Sequence, residues 1–568
     1  MKKTAAIGIA FAGLLLSSAA APAADYDVLI KGGTIYDGSG GAPFVGDVAI
    51  KNDKIAYVGP SAPGTAAKVV DATGEAVSPG FINMLSWAVE SLIQDGRGLS
   101  DTRQGVTLEV FGEGDSMGPL TPEMKRLELK RQGDIKYPIR WTTLGQYLDY
   151  MQHKGITPNV ASFVGATTVR VHELGEKDVD PTPEQLDKMR GLVRNAMKEG
   201  ALGVGSSLIY APATYAETPE LVALTTEAAK CGGMYISHMR SEGNKLLEAI
   251  DELIQISRES GAPAEIYHFK QAGKANWPKL DGAIAKVNAA RAGGQRITAD
   301  MYTYTAGATG LDAAMPPWVQ SGGLEAWIER MKDPKTRAKV IEEMRTPTDQ
   351  WENLMLLSGG PENVLLVAFK NPKLKPLTGK TLAEVAKMRG KSPEETAIEL
   401  VSEDGSRVGT VYFLMSEDNV KREVALPWMS FGSDEGSEAP EGVFLKSNAH
   451  PRAYGNFIRV LGQYARDDKV VTLQDAIHRL SWLPATNLGI RGRGALREGY
   501  YADVVVFDPA KVQDHATYAK PHQLATGVND VFVNGVQVLK GGEHTGAKPG
   551  RFVHGPGWTG WPDGGACK

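Results

Sequence analysis

Only two cysteines, Cys231 and Cys567, occur among 568 residues. Two thiols so far apart exclude a zinc site built from thiolates. A chain of this size needs no disulfide, so Cys231, just before an apolar run, reads as a small buried residue. A disulfide to Cys567 is the alternative. There is no long basic run and no stripe of interleaved aromatic and basic residues. The formal net charge is -5, so nucleic acid is not an expected partner. An acidic substrate would need positive charge concentrated in a pocket. No internal repeat or low-complexity tract interrupts the chain. Hydrophobic residues make up 42% and charged residues 23%, the balance of a globular protein.

The extreme N-terminus has the three parts of a secretory signal. Lys2 and Lys3 are followed by an apolar run from Ala5 to about Leu16 and by the small-x-small site Ala21-Pro22-Ala23. The run is short for a membrane span, so residues 1–23 are expected to be a cleaved signal peptide that leaves no stable anchor. Its style resembles Gram-negative export signals, which places the mature protein in the periplasm. Loss of the two lysines makes the mature chain more negative.

Residues 25–77 read as short strands joined by Gly-Gly, Asp-Gly and Asn-Asp turns, and the same texture returns within 485–557. Such flanking segments can form one β-sandwich domain from both chain ends. Between them, residues 78–484 alternate strand and helix. Eight short β-rich runs lie near Gly80–Leu85, Thr107–Phe111, Val160–Val164, Gly203–Ser207, Met234–Ser237, Glu265–Tyr267, Ile297–Ala299 and Trp428–Ser433. Helical patterns between them include one ending at Gly200 and one starting with a Thr218 cap. Eight strand-helix units predict an α/β fold, a closed (β/α)8 barrel of the TIM type. The gap from about 312 to 427 is too long for one helix. It predicts an inserted lobe at the active-site mouth.

Residues just after barrel strands point into the site of such a fold. Glu113 follows the second strand, Tyr210 the fourth, His238 the fifth, His268 the sixth and Asp434 the last. Two histidines and a carboxylate can hold zinc and leave a coordination position open. Bound water then becomes acidic enough to act as a nucleophile near neutral pH. Asp434 stands where a base would take the proton and later return it to a leaving amine.

At these residues the chain resembles the N-acyl-D-amino-acid deacylase (D-aminoacylase) branch of the amidohydrolase superfamily. "GALGVGSSLIYAPATYAETPELVAL", "YISHMRSEGNKLLEAIDE", "ADMYTYTAGATGL" and "HPRAYGNFIRVLGQYAR" carry the likeness, which runs from about Tyr26 to Gly557. The resemblance implies one zinc ion with His238 and His268 as ligands. Glu113 replaces the branch's usual cysteine ligand, with Asp115 the next choice. Asp434 matches the catalytic aspartate. Tyr210, Lys270 and Arg452 match residues that bind the substrate's carboxylate. Two departures stand out. The usual His-x-His after the first strand is here Met84 and Ser86, so a second metal is expected to bind weakly or not at all. Ala166 stands where a histidine is usual. The leading expectation is a hydrolase of N-acyl amino acids or small peptides. The alternatives are a hydrolase of cyclic or xenobiotic amides, or a barrel that binds a ligand without turnover.

Overall fold

A computed structural model describes residues 24–567. The expected signal peptide lies outside the described residues. Eight parallel strands form a barrel, and their positions follow the predicted runs to within a few residues. They are Phe81–Asn83, Val106–Phe111, Asn159–Gly165 (interrupted at Phe163), Gly203–Ser207, Met234–His238, Ala264–Ile266, Ile297–Met301 and Met429–Phe431. The last strand closes on the first through Met84 N–H to Phe431 O at 3.1 Å and Asp434 N–H to Leu85 O at 2.8 Å.

Strand alternation sets the two layers of the core. Ile82, Met84, Leu108, Val110, Ala161, Phe163 and Ile236 fill the barrel interior. Phe81, Val106, Phe111, Val160 and Tyr235 face the surrounding helices. The barrel is therefore packed solid, and only residues beyond the strand ends can line a cleft.

Helix boundaries largely follow local chemistry. Thr182 forms a capping box with Gln185 at the start of Pro183–Glu199, and Gly200 ends that helix in the left-handed region at φ 114°. The expected Thr218 cap is not formed. The helix already begins at Thr218, with Glu217 as its N-cap residue. The Thr218 hydroxyl instead donates to Glu252 at 2.8 Å, a partner from the next helix that sequence spacing does not reveal.

The chain ends combine as one side domain. Val504–Phe507 pairs antiparallel with Ala76–Pro79, joining N- and C-terminal strands into one nine-stranded hydrogen-bonded sheet that branches at Tyr26–Ile35. From Gly550 onward the chain leaves this sheet and runs along the start of the barrel strands. Val553 N–H donates to Val160 O, and Gly555 N–H to Gly200 O, both at 2.8 Å.

The inserted lobe contains the expected helices, split by proline starts. Leu324–Arg330 and Pro334–Arg345 form one pair, Leu382–Arg389 and Pro393–Asp404 another. It also holds an unforeseen antiparallel sheet of Ala306–Gly310, Gly409–Phe413 and Val364–Ala368. Its three strands are more than 40 residues apart in sequence, so no hairpin turn announces it.

One reading is corrected outright. Cys231 is not a free buried thiol; it is bonded to Cys567 across 336 residues. The bond ties the C-terminal strap to the turn that precedes the strand Met234–His238. Cross-linking residues so distant restricts the unfolded chain, an effect worth about 2–5 kcal/mol. Cys567→Ser should lower the midpoint of thermal unfolding by a few degrees. An unchanged midpoint would show that hydrogen bonds alone secure the strap.

Candidate metal centre and active-site cleft

Glu113 leaves the second strand through a turn that only glycine permits. Gly114 has φ 73°, and a Cβ there would lie 2.0 Å from the Ser207 hydroxyl. The turn aims the Glu113 carboxylate across the barrel mouth. Its Oε1 lies 3.1 Å from His238 Nδ1 and 2.8 Å from His268 Nε2. His268 reaches this position with φ 34°, an uncommon backbone conformation for a residue with a side chain. One donor atom from each of these three residues falls within 4.8 Å of the others, and all three residues are buried. Two imidazoles and a carboxylate are a donor set suited to a divalent cation with an open position.

Asp115 does not join this group; its N–H bonds back to Glu113 O at 2.8 Å. Met84 is fully buried in the barrel interior. The Ser86 hydroxyl accepts the Ala88 N–H at 3.2 Å. Neither contributes to the ligand cluster. Ala166 begins the helix Ala166–Leu174 and is buried.

The remaining sequence-derived residues converge on the same cleft. Asp434, at φ 52°, has Oδ2 2.9 Å from Arg452 Nη2. Arg452 is 1% exposed and also donates to Asp434 O at 2.6 Å. Its Nε and Nη1 have no hydrogen-bond partner, and its guanidinium lies 4.3 Å from the Tyr302 ring centre. Lys270 Nζ is 2.7 Å from His268 Nδ1. The Tyr210 ring stands edge-on to His238 at 5.1 Å. All of them line one cleft of about 920 Å³, large enough for an N-acylated amino acid.

Several residues at the site carried no usable sequence signal. Glu242 reaches the far sides of both histidines. Its Oε1 is 3.0 Å from His268 Nδ1 and its Oε2 is 3.6 Å from His238 Nε2, while Lys270 sits 2.5 Å from Oε1. The His268 imidazole is thus held between two carboxylates, which orients its ring, whereas His238 Nε2 has no hydrogen-bond partner. Trp87 donates its indole N–H to both Glu113 and Asp434. From the lobe, Arg407 lies over the Tyr210 ring at 4.9 Å. Also from the lobe, Glu352 Oε1 accepts the Ser241 hydroxyl at 2.6 Å, the Glu242 N–H at 2.7 Å and the Gly243 N–H at 2.6 Å. Glu242 lies inside the stretch "YISHMRSEG", but nothing local says that the loop folds back on its own strand. The lobe residues reach the site only through tertiary packing.

Charge is balanced tightly here. Burial opposes ionisation of Glu113, but His268 and His238 hold its carboxyl well below the usual range. Burial and Lys270 pull His268 down, yet Glu242 and Glu113 outweigh them and push it up to about 10. Burial raises Asp434, with Arg452 opposing.

Residues 68–539 match the amidohydrolase family. This chain belongs to the amidohydrolase family. It is a hydrolase of carbon–nitrogen bonds other than peptide bonds, with a three-residue cluster that could hold a metal ion. The chain is 32% identical to D-aminoacylase from Alcaligenes xylosoxydans xylosoxydans, over 93% of this chain and 97% of the relative. It is 31% identical to the N-acyl-D-aspartate deacylase of the same organism, over 93% and 95%. A crystal structure of D-aminoacylase is similar at TM-score 0.77 and 30% identity, covering 93% of this chain and all of that one. N-acyl-D-glutamate deacylase from Bordetella bronchiseptica, solved with zinc and a phosphonate inhibitor, is similar at TM-score 0.75 and 27% identity, over 93% and 99%.

In this amidohydrolase the lobe is anchored by a carboxyl in an awkward setting. Burial, then the neighbouring charge of Glu242, pushes Glu352 from an ordinary 4.5 up to about 7. The folded state therefore binds more protons than the unfolded one across this window. The corresponding stability is present below about pH 4.5 and lost as pH rises through about 7. Glu352→Gln should remove this slope, worth roughly 1–3 kcal/mol. The unfolding midpoint should fall more steeply between pH 5 and pH 8 in the unaltered protein than in the variant. Parallel curves would contradict the shift.

Proposed function

We propose that this amidohydrolase deacylates N-acyl amino acids that carry a free carboxylate, those of D configuration included, with one zinc ion. The observation that carries the reading is the Glu113 oxygen shared between His238 and His268, with Asp434 and two cationic side chains around the same cleft. The relatives' names support the substrate class, and the zinc-bound relative supports the metal.

Glu113, His238 and His268 would hold zinc, which supplies Lewis acidity to the scissile carbonyl and acidifies a bound water. Asp434 accepts the water's proton and returns it to the leaving nitrogen. Arg452 has two guanidinium nitrogens without partners, which a substrate carboxylate satisfies. Lys270 adds positive charge, and Tyr210 packs beside the reacting group. Glu242 fixes the His268 imidazole so that its Nε2 faces Glu113.

Export to the periplasm belongs to the same proposal. The signal-like N-terminus supports it, and so does the Cys231–Cys567 disulfide, a bond that persists in oxidising compartments. No helix among the described residues is long and apolar enough to cross a membrane.

Elemental analysis of the purified protein should find about one equivalent of zinc, and His238→Ala or His268→Ala should lose both metal and turnover. Asp434→Asn should keep the zinc and lower kcat about a thousandfold. Full turnover by a metal-free double histidine variant would refute the metal mechanism. Capping the substrate's carboxylate as an amide should lower kcat/KM about ten- to a hundredfold. Equal turnover of the capped substrate would favour the cyclic or xenobiotic amide reading.

A further inference from the structure

Each carboxylate at this site divides its oxygens between two tasks. Glu113 turns Oε1 to the two histidines. Asp434 turns Oδ2 to Arg452. That leaves Glu113 Oε2 and Asp434 Oδ1, and both lie 3.1 Å from one atom, the indole Nε1 of Trp87. One N–H thus serves two acceptors in a bifurcated hydrogen bond. Two carboxylates that approach a common point repel one another unless a donor or cation stands between them.

Trp87 is well placed to be that donor. It follows Ser86 directly, and its backbone N–H donates to Glu435 O at 2.9 Å, next to Asp434 itself. The segment after the first strand and the segment after the last are therefore laced together at backbone and side chain. The indole is 38% exposed and lines the cleft, so its ring edge meets the carboxylates while its remaining surface faces the substrate space. Indole can donate but cannot accept, so it cannot drift into the role of base or ligand.

We infer that Trp87 is a positioning residue whose indole N–H bridges the metal ligand Glu113 and the base Asp434, fixing the orientation of both carboxylates toward each other and the cleft. This rests on the zinc and base assignments proposed above. The bridge makes the geometry of the ligand and the base interdependent without a second cation between them. Loss of the N–H would leave Asp434 held by Arg452 alone and Glu113 Oε2 without its donor. Substrate binding through Arg452 and Lys270 would be little affected.

The test uses the full mature chain, with indole ¹⁵N labelling and Trp87→Phe to assign the Trp87 resonance among ten tryptophans. Adding zinc to the metal-free protein should shift that resonance, and so should Asp434→Asn. This readout needs no turnover. In steady-state kinetics, Trp87→Phe should lower kcat about ten- to a hundredfold, the weight of a hydrogen bond to a charged group, with KM changed less than about threefold. Its unfolding midpoint should stay near that of the unaltered protein. Trp87→His, which restores a ring N–H, should recover part of kcat. A Trp87 resonance indifferent to both zinc and Asp434→Asn would overturn the inference, as would a Trp87→Phe enzyme with unchanged kcat. If the unaltered protein hydrolyses no N-acyl amino acid, the functional reading fails, and the resonance shifts still decide the bridge.

Discussion

A single carboxylate oxygen, Glu113 Oε1, organises the centre of this molecule. A buried anion is costly unless it is paired, and here its partners are the imidazoles of His238 and His268. They come from two other barrel strands, so the pairing demands a closed barrel with these strand ends in register. A second carboxylate, Glu242, grips the far side of the His268 ring and brings in Lys270. Asp434 and Arg452 complete an alternation of charge in which each ionic group has an opposite neighbour. The arrangement stores little freedom, which is what a preorganised reaction centre requires.

The surrounding architecture serves that centre at increasing distance. Apolar residues, Met84 among them, fill much of the barrel interior, and the carboxylate buried lower down, Glu265, is bonded by Thr298, Ser430 and Asn487. The inserted lobe covers the mouth and reaches down through Glu352, which clamps the loop that bears Glu242. Lobe position and histidine orientation are thus mechanically linked through one loop. At the opposite end the C-terminal strap and its disulfide hold the starts of the strands, away from the chemistry.

Replacement of the usual first-strand histidines has a coherent structural outcome. Met84 becomes part of the core, Ser86 satisfies a local backbone N–H, and Trp87 extends into the cleft between two carboxylates. The apolar and indole groups take up space and hydrogen-bonding capacity near Glu113 and Asp434. The ligand cluster among the described residues has three members, Glu113, His238 and His268.

Much of this was legible from sequence. Strand periodicity exposed the eight barrel strands, and the rule that polar residues follow barrel strands picked out Glu113, His238, His268 and Asp434. Both are local signals, because side-chain alternation and turn chemistry act over a few residues. The same rule picked out Tyr210; family likeness gave it a substrate-binding role and added Lys270 and Arg452. Tertiary structure alone decided the rest. It showed that Arg452 pairs with Asp434, that Glu242 and Trp87 brace the ligands, that Glu352 spans lobe and barrel, and that Cys231 finds Cys567. Each of these contacts joins segments that meet only after folding, or a loop whose path no periodic pattern describes. Local physics named the groups proposed to carry the chemistry; long-range packing determined which of their atoms face one another.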